Sequence, residues 1–224
     1  MTASPVMSMR TYLDEIRYAV EHIMPTLWHE RDELRDLERQ VKAAAARAAE
    51  EYSRAQFIMM NSEDSEDFMM GVGAHWDSYW GPDKNRHYMS QEAEQLRARL
   101  AARSFSTSAL AGALLQYGKQ CLSAAYGPYE KNKNPWPTGR MIASQSTSTI
   151  IRCGRNQALH WEEGKLLKDT AACFDVLVGH NTVFGECCDR SLALEVIELL
   201  GWRNYNDFER ELLDIDAARE NSNS

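Results

Sequence analysis

Three side chains in the segment Ser146–Lys165, STSTIIRCGRNQALHWEEGK, could do chemistry together: Arg155, Asn156 and His160. Asn156 and His160 are four residues apart, so on a helix they stack on one face. Arg155 lies five residues before His160, about 140° around the helix, and its long stem can still bring the guanidinium to the same cleft. A neutral histidine exchanges protons near neutral pH. Arginine is a permanent cation whose fork suits phosphate oxygens. An amide can orient the imidazole or a ribose hydroxyl. These are the parts of metal-free RNA cleavage. One group takes the 2′-hydroxyl proton, another protonates the leaving oxygen, and a cation steadies the pentacoordinate phosphorus. A single histidine supplies only one proton-transfer group, so a second copy of the chain would complete the pair.

Charge around the segment agrees. Between Gly127 and Lys168, seven basic residues (Lys131, Lys133, Arg140, Arg152, Arg155, Lys165, Lys168) stand against three acidic ones (Glu130, Glu162, Glu163), a net +4. The whole chain of 224 residues carries −8, leaving −12 for the remainder. The overall acidity argues against whole-surface binding of nucleic acid but allows a local basic groove. Lys131, Lys133, Arg140 and Arg152 are the expected RNA contacts, with Trp136 and Tyr129 either stacking on unpaired bases or packing.

The elements that must position this segment read as helices. Thr11–Met24 has helical apolar spacing, and Pro25 either opens a second helix or kinks a continuous one. From Thr26 to about Met60, Leu27, Leu34, Val41, Ala48 and Ala55 recur every seven residues, a heptad-like helix of about 35 residues and roughly 50 Å. An acidic linker (61–67) and an irregular aromatic loop (68–89, with His75, Trp76 and Trp80) follow. Ser90 caps a helix to about Arg103, Ser104–Ser108 interrupts, and Ala109–Tyr126 is a mostly apolar, central helix. Ser146 or Ser148 caps the helix of interest, which runs to about Glu163 and ends at Gly164. Leu166–Val178, Leu192–Leu200 and Asp207–Asp214 complete the set. The expectation is an all-α fold in one domain (1–224): a bundle at 90–215, a long N-terminal helical arm or hairpin at 9–60, and a disordered tail at 216–224.

Arg155-Asn156-Gln157-Ala158-Leu159-His160 resembles the R-polar-x-x-x-H motif of the HEPN superfamily, on a helix of an all-helical chain. The resemblance implies a homodimer whose two motifs share a cleft, and a metal-independent endoribonuclease activity with Arg155 and His160 as the catalytic pair and Asn156 at the polar position. It further implies a toxin–antitoxin, phage-defence or CRISPR-linked setting, with an antitoxin or other defence protein as partner. One subgroup, toxins modified by nucleotidyltransferase antitoxins, has tyrosine two residues after the histidine. Here Glu162 stands there, so that modification is not expected. The resemblance covers about 20 residues.

The same residues allow other functions. A HEPN-like module that binds RNA, a nucleotide or a partner without cutting keeps the fold and loses the cleavage. Plainer roles for the same side chains are a half-buried His160 bonded to a carbonyl, and an Arg155 in a salt bridge to Glu162, Glu163 or another helix. Glu163, three residues after His160, could orient it or face solvent. A DNA-binding regulator fits poorly, because Asp207, Glu209, Glu211 and Asp214 charge the last helix against a phosphate backbone. Five cysteines (Cys121, Cys153, Cys173, Cys187, Cys188) lack zinc-site spacing and read as reduced thiols of a cytoplasmic protein. No metal, cofactor or membrane span is expected.

Overall fold

A computed structural model describes the backbone of residues 7–61, 82–130 and 133–222. Its architecture is all-α, as expected. Among the described residues the helices are α1 (Met9–Asn61), α2 (Pro82–Tyr126), α3 (Thr147–His160), α4 (Lys168–Val178), α5 (Ala193–Leu200) and α6 (Tyr205–Ser222). Short 3-10 turns follow α3 at Trp161–Glu163 and α4 at Thr182–Glu186. No described helix is long and apolar enough to cross a membrane.

The contacts divide the chain into two compact units, Met1–Glu30 with Phe105–Ser224, and Arg31–Ser104. The first is the bundle. Its core gathers Leu13, Val20, Met24 and Leu27 of α1, Leu114, Leu115 and Leu122 of α2, Ile150 and Ile151 of α3, Phe174 of α4, Val196 and Ile197 of α5, and Phe208 and Leu212 of α6. Trp202, between α5 and α6, is fully buried and meets the Phe208 ring edge-on at 4.7 Å. The expected 9–60 arm is therefore divided: its first three turns and more are core helix, and only the part beyond Glu30 belongs to the second unit. There Leu34, Leu37 and Val41 are half-buried on one stripe, and Glu33 pairs with Arg103 at 3.5 Å.

Several expected boundaries move. α1 runs unbroken through Pro25, where Met24 and Leu27 are buried on either side and outweigh the lost backbone hydrogen bond. α2 begins at Pro82, a good first-turn residue, and continues through Ser104–Ser108. That stretch has no glycine or proline, and buried Thr107 anchors it, so weak helix formers do not stop the helix. Of the acidic linker and the aromatic loop, residues 62–81 lie outside the described residues; Asn61 is helical, and 82–89 is helix where loop was expected, so Ser90 lies within α2 and does not cap it. Asn204 caps α6, accepting from the Asp207 N–H at 3.1 Å. That helix extends to Ser222, so the expected tail from 216 is helical instead.

A two-stranded antiparallel hairpin, β1 (Met141–Ile142) with β2 (Gln145–Ser146), leads directly into α3. Its turn residues Ala143 and Ser144 both have positive φ, at 48° and 66°, as a two-residue primed turn requires. Neither is glycine or asparagine, so no turn signal marked it.

Candidate active site

α3 is fixed at both ends. Ser146 Oγ caps it, accepting from the Thr149 N–H at 3.3 Å. The Thr147 and Ser148 N–H groups donate to the carbonyls of Arg140 and Thr138, so the preceding loop closes the helix N-terminus. That loop passes tightly: Gly139, at φ +66°, lies where any Cβ would collide with Thr147 and Ile215. At the other end Gly164 closes the 3-10 turn in the left-handed conformation. Along its length, buried Gln157 bonds the carbonyls of Cys187 (2.9 Å) and Arg190 (2.7 Å) and accepts from the Leu192 N–H (2.9 Å).

α3 runs antiparallel to the second half of α2, and small residues let them close up. A Cβ added to Gly112 would meet Ala158 at 3.8 Å, one on Gly154 would meet Leu115 at 3.4 Å, and one on Gly118 would meet Ile151 at 3.3 Å. This pairing sets Gln116 opposite Arg155. The Arg155 Nε donates to Gln116 Oε1 at 2.6 Å, and Nη1 donates to Asn156 Oδ1 at 3.2 Å. Both partners are neutral amides. Neither Glu162 nor Glu163 pairs with Arg155, and its partner on another helix is an amide, so the plainer salt-bridge role is not what the side chain plays.

His160, the last residue of α3, is about half exposed, and its Nδ1 lies 2.7 Å from Glu163 Oε1. Its partner is thus the carboxylate three residues on, not a backbone carbonyl. An ionised carboxylate only accepts, so Nδ1 carries the hydrogen and Nε2 remains the exchangeable nitrogen. Of the three expected site residues, Arg155 and Asn156 are joined directly. His160 is held separately, with no hydrogen bond to either.

The expected RNA contacts divide differently. Lys131 lies outside the described residues. Lys133 is exposed in a turn and pairs with Glu130 at 3.4 Å. Trp136 is 5% exposed, donates its indole N–H to the Gly127 carbonyl at 3.0 Å, and packs against the edge of Tyr129. Of the two roles open to it, it plays the packing one. Arg140 Nε donates to buried Glu211 at 2.7 Å and Nη2 to the Leu200 carbonyl at 2.7 Å. Arg152 is mostly buried, lies over the Tyr129 ring at 4.2 Å and has Asp169 at 3.9 Å. Arg140 and Arg152 therefore face carboxylates from α6 and α4 that a local charge count does not include.

Two residues not singled out by sequence join the site from α2. Gln116 holds Arg155. Lys119, one turn further along the same helix, lies near enough for its charge to interact with that guanidinium. Burial, and then the positive charge of Arg155, lower the Lys119 ammonium below the usual lysine range. Only the helix pairing could have found either residue.

Among the described residues no three histidine, cysteine, aspartate or glutamate side chains gather as metal ligands. The five cysteines are free thiols, with Cys121, Cys153 and Cys173 buried. No family model, curated protein or solved structure matches the chain.

Proposed function

We propose that the protein is a metal-independent endoribonuclease that cuts single-stranded RNA as a homodimer. One observation carries the reading: the same short helix presents a guanidinium steadied by two neutral amides and an imidazole steadied by a carboxylate. The arginine keeps its positive charge uncompensated for a phosphate, and the histidine keeps Nε2 for proton transfer. In the proposed reaction, Nε2 of one His160 takes the ribose 2′-hydroxyl proton. The 2′-oxygen bonds to the adjacent phosphorus, and the bond from phosphorus to the 5′-oxygen breaks. The imidazolium of the second copy gives its proton to that leaving oxygen. Products are a 2′,3′-cyclic phosphate and a 5′-hydroxyl, and Arg155 offsets the charge that builds on the phosphoryl oxygens.

Such a nuclease must be restrained in its host. A toxin–antitoxin or phage-defence setting in the cytoplasm, with an antitoxin or defence protein as partner, is the proposed context. A second reading, a non-catalytic module that binds RNA, a nucleotide or a partner, is favoured by the lack of a hydrogen bond between the Arg155–Asn156 and His160–Glu163 pairs within one copy.

The test is incubation of a long single-stranded RNA in EDTA with the wild type and with His160→Ala, Arg155→Ala and Glu163→Gln. The expected result is cleavage by the wild type to 2′,3′-cyclic phosphate ends, at least about 100-fold slower with either alanine variant. Glu163→Gln should be slowed about tenfold. Equal cleavage by all four would overturn the proposal. RNA retained but uncut by every form would establish the binding module.

A further inference from the structure

Several arginines of the bundle are matched to carboxylates. Arg17 pairs with Glu209, Arg140 with Glu211, Arg190 with Glu186 and Glu195, and Arg210 with Asp207, at distances from 2.6 to 3.1 Å. The face between α2 and α3 holds two partly buried cations without a carboxylate partner among the described residues. Arg155 rests on the oxygens of Gln116 and Asn156, and half-buried Lys119 has no hydrogen-bond or ion-pair partner among the described residues. Two neighbouring positive charges, both partly withdrawn from water, are thus left without a counter-charge. Like charges held together in this way repel and lose hydration, a cost that an anion bound between them removes.

The hydrogen-bonding capacity fits the same ligand. A guanidinium has five N–H donors. Gln116 and Asn156 use one each, which fixes the plane of the group and leaves three donors on its two terminal nitrogens. Lys119 adds a rotatable ammonium from the facing helix. A fixed fork on one helix and a mobile point charge on its neighbour suit the two non-bridging oxygens of a phosphodiester. The closed N-terminus of α3 contributes nothing here, since its first N–H groups are bonded to Thr138 and Arg140.

We propose that Lys119 and Arg155 form a subsite for one phosphodiester group of an RNA strand, with Lys119 a substrate-binding residue. The proposal rests on the reading of α3 as an RNA site, and its test separates the two.

The probe is a fluorescent, uncleavable 2′-O-methyl oligonucleotide, titrated by anisotropy over a salt series. Lys119→Gln should weaken binding about tenfold. It should also flatten the slope of log affinity against log salt by about 0.7, the share of one phosphate contact. Lys119→Arg should restore both, and inorganic phosphate should compete with the wild type more strongly than with Lys119→Gln. Without RNA, Lys119→Gln should melt at or above the wild-type temperature, since it removes a repelled charge. Wild-type affinity and slope in Lys119→Gln would overturn the proposal, as would a melting temperature well below wild type, which would mark a structural role. If the salt and competition effects appear in a protein that never cuts RNA, the subsite stands and the nuclease reading falls. If RNA is cut and Lys119→Gln behaves as wild type in binding and cleavage, the reverse holds.

Discussion

Arg155 Nε donates to Gln116 Oε1 at 2.6 Å, joining two antiparallel helices across 39 positions of sequence. The acceptor is an amide where a carboxylate would bond more strongly. A glutamate here would satisfy the arginine and cancel its charge.

Gln116→Glu should therefore separate stability from RNA binding. The new ion pair should leave stability unchanged or raise it by up to about 1 kcal/mol, while the affinity for the uncleavable oligonucleotide falls about tenfold or more. Thermal melting and anisotropy on one preparation check this. Undiminished RNA affinity would show that the charge of Arg155 is not used.

Gln157 is the internal brace of α3, with each amide atom bonded to backbone across 30 residues or more. Gln157→Leu fills the same volume but leaves two carbonyls and one N–H without partners. The expected cost is about 3 kcal/mol, measured by urea denaturation. A loss under about 1 kcal/mol would mean that water replaces the amide.

Alkaline stability should report on Tyr205. Burial, with the negative charge of Glu209 adding to it, raises its phenol from 10.0 to about 12, and burial raises the Cys121 thiol from 9.0 to about 12. Both groups hold their protons more tightly when folded. Their contribution is full below the unfolded pKa values and is lost as pH climbs towards 12. Tyr205→Phe removes one of the two, so its unfolding free energy should fall less steeply than that of the wild type between pH 10 and 12. Parallel slopes in urea denaturation across that range would contradict this.

What could be read from sequence was what depends on near neighbours. The Ser146 cap, the stop at Gly164 and the helical spacing of α3 each rest on a few adjacent residues, and the structure places them as expected. The unbroken α2 could not be read. Whether Ser104–Ser108 bends or continues depends on what buries Thr107, not on the serines themselves. The same limit explains Arg140 and Arg152. Their positive charge is visible locally, but Glu211 lies 71 residues from Arg140. Arg155, Asn156 and His160 were legible as a motif, whereas Gln116 and Lys119 belong to the site only because glycines bring two helices together.

The division of the bundle between the two ends of the chain bears on how it is made. Tyr205 donates to the Leu13 carbonyl, and Arg17 pairs with Glu209, each across 192 residues. A ribosome adding about 5 to 20 residues per second needs about 10 to 40 s to bring those partners out after the first helix has emerged. For that interval the core around Leu13, Val20, Met24 and Leu27 lacks the part that the C-terminal helices supply. The site on α3 therefore gains its full support only late in synthesis.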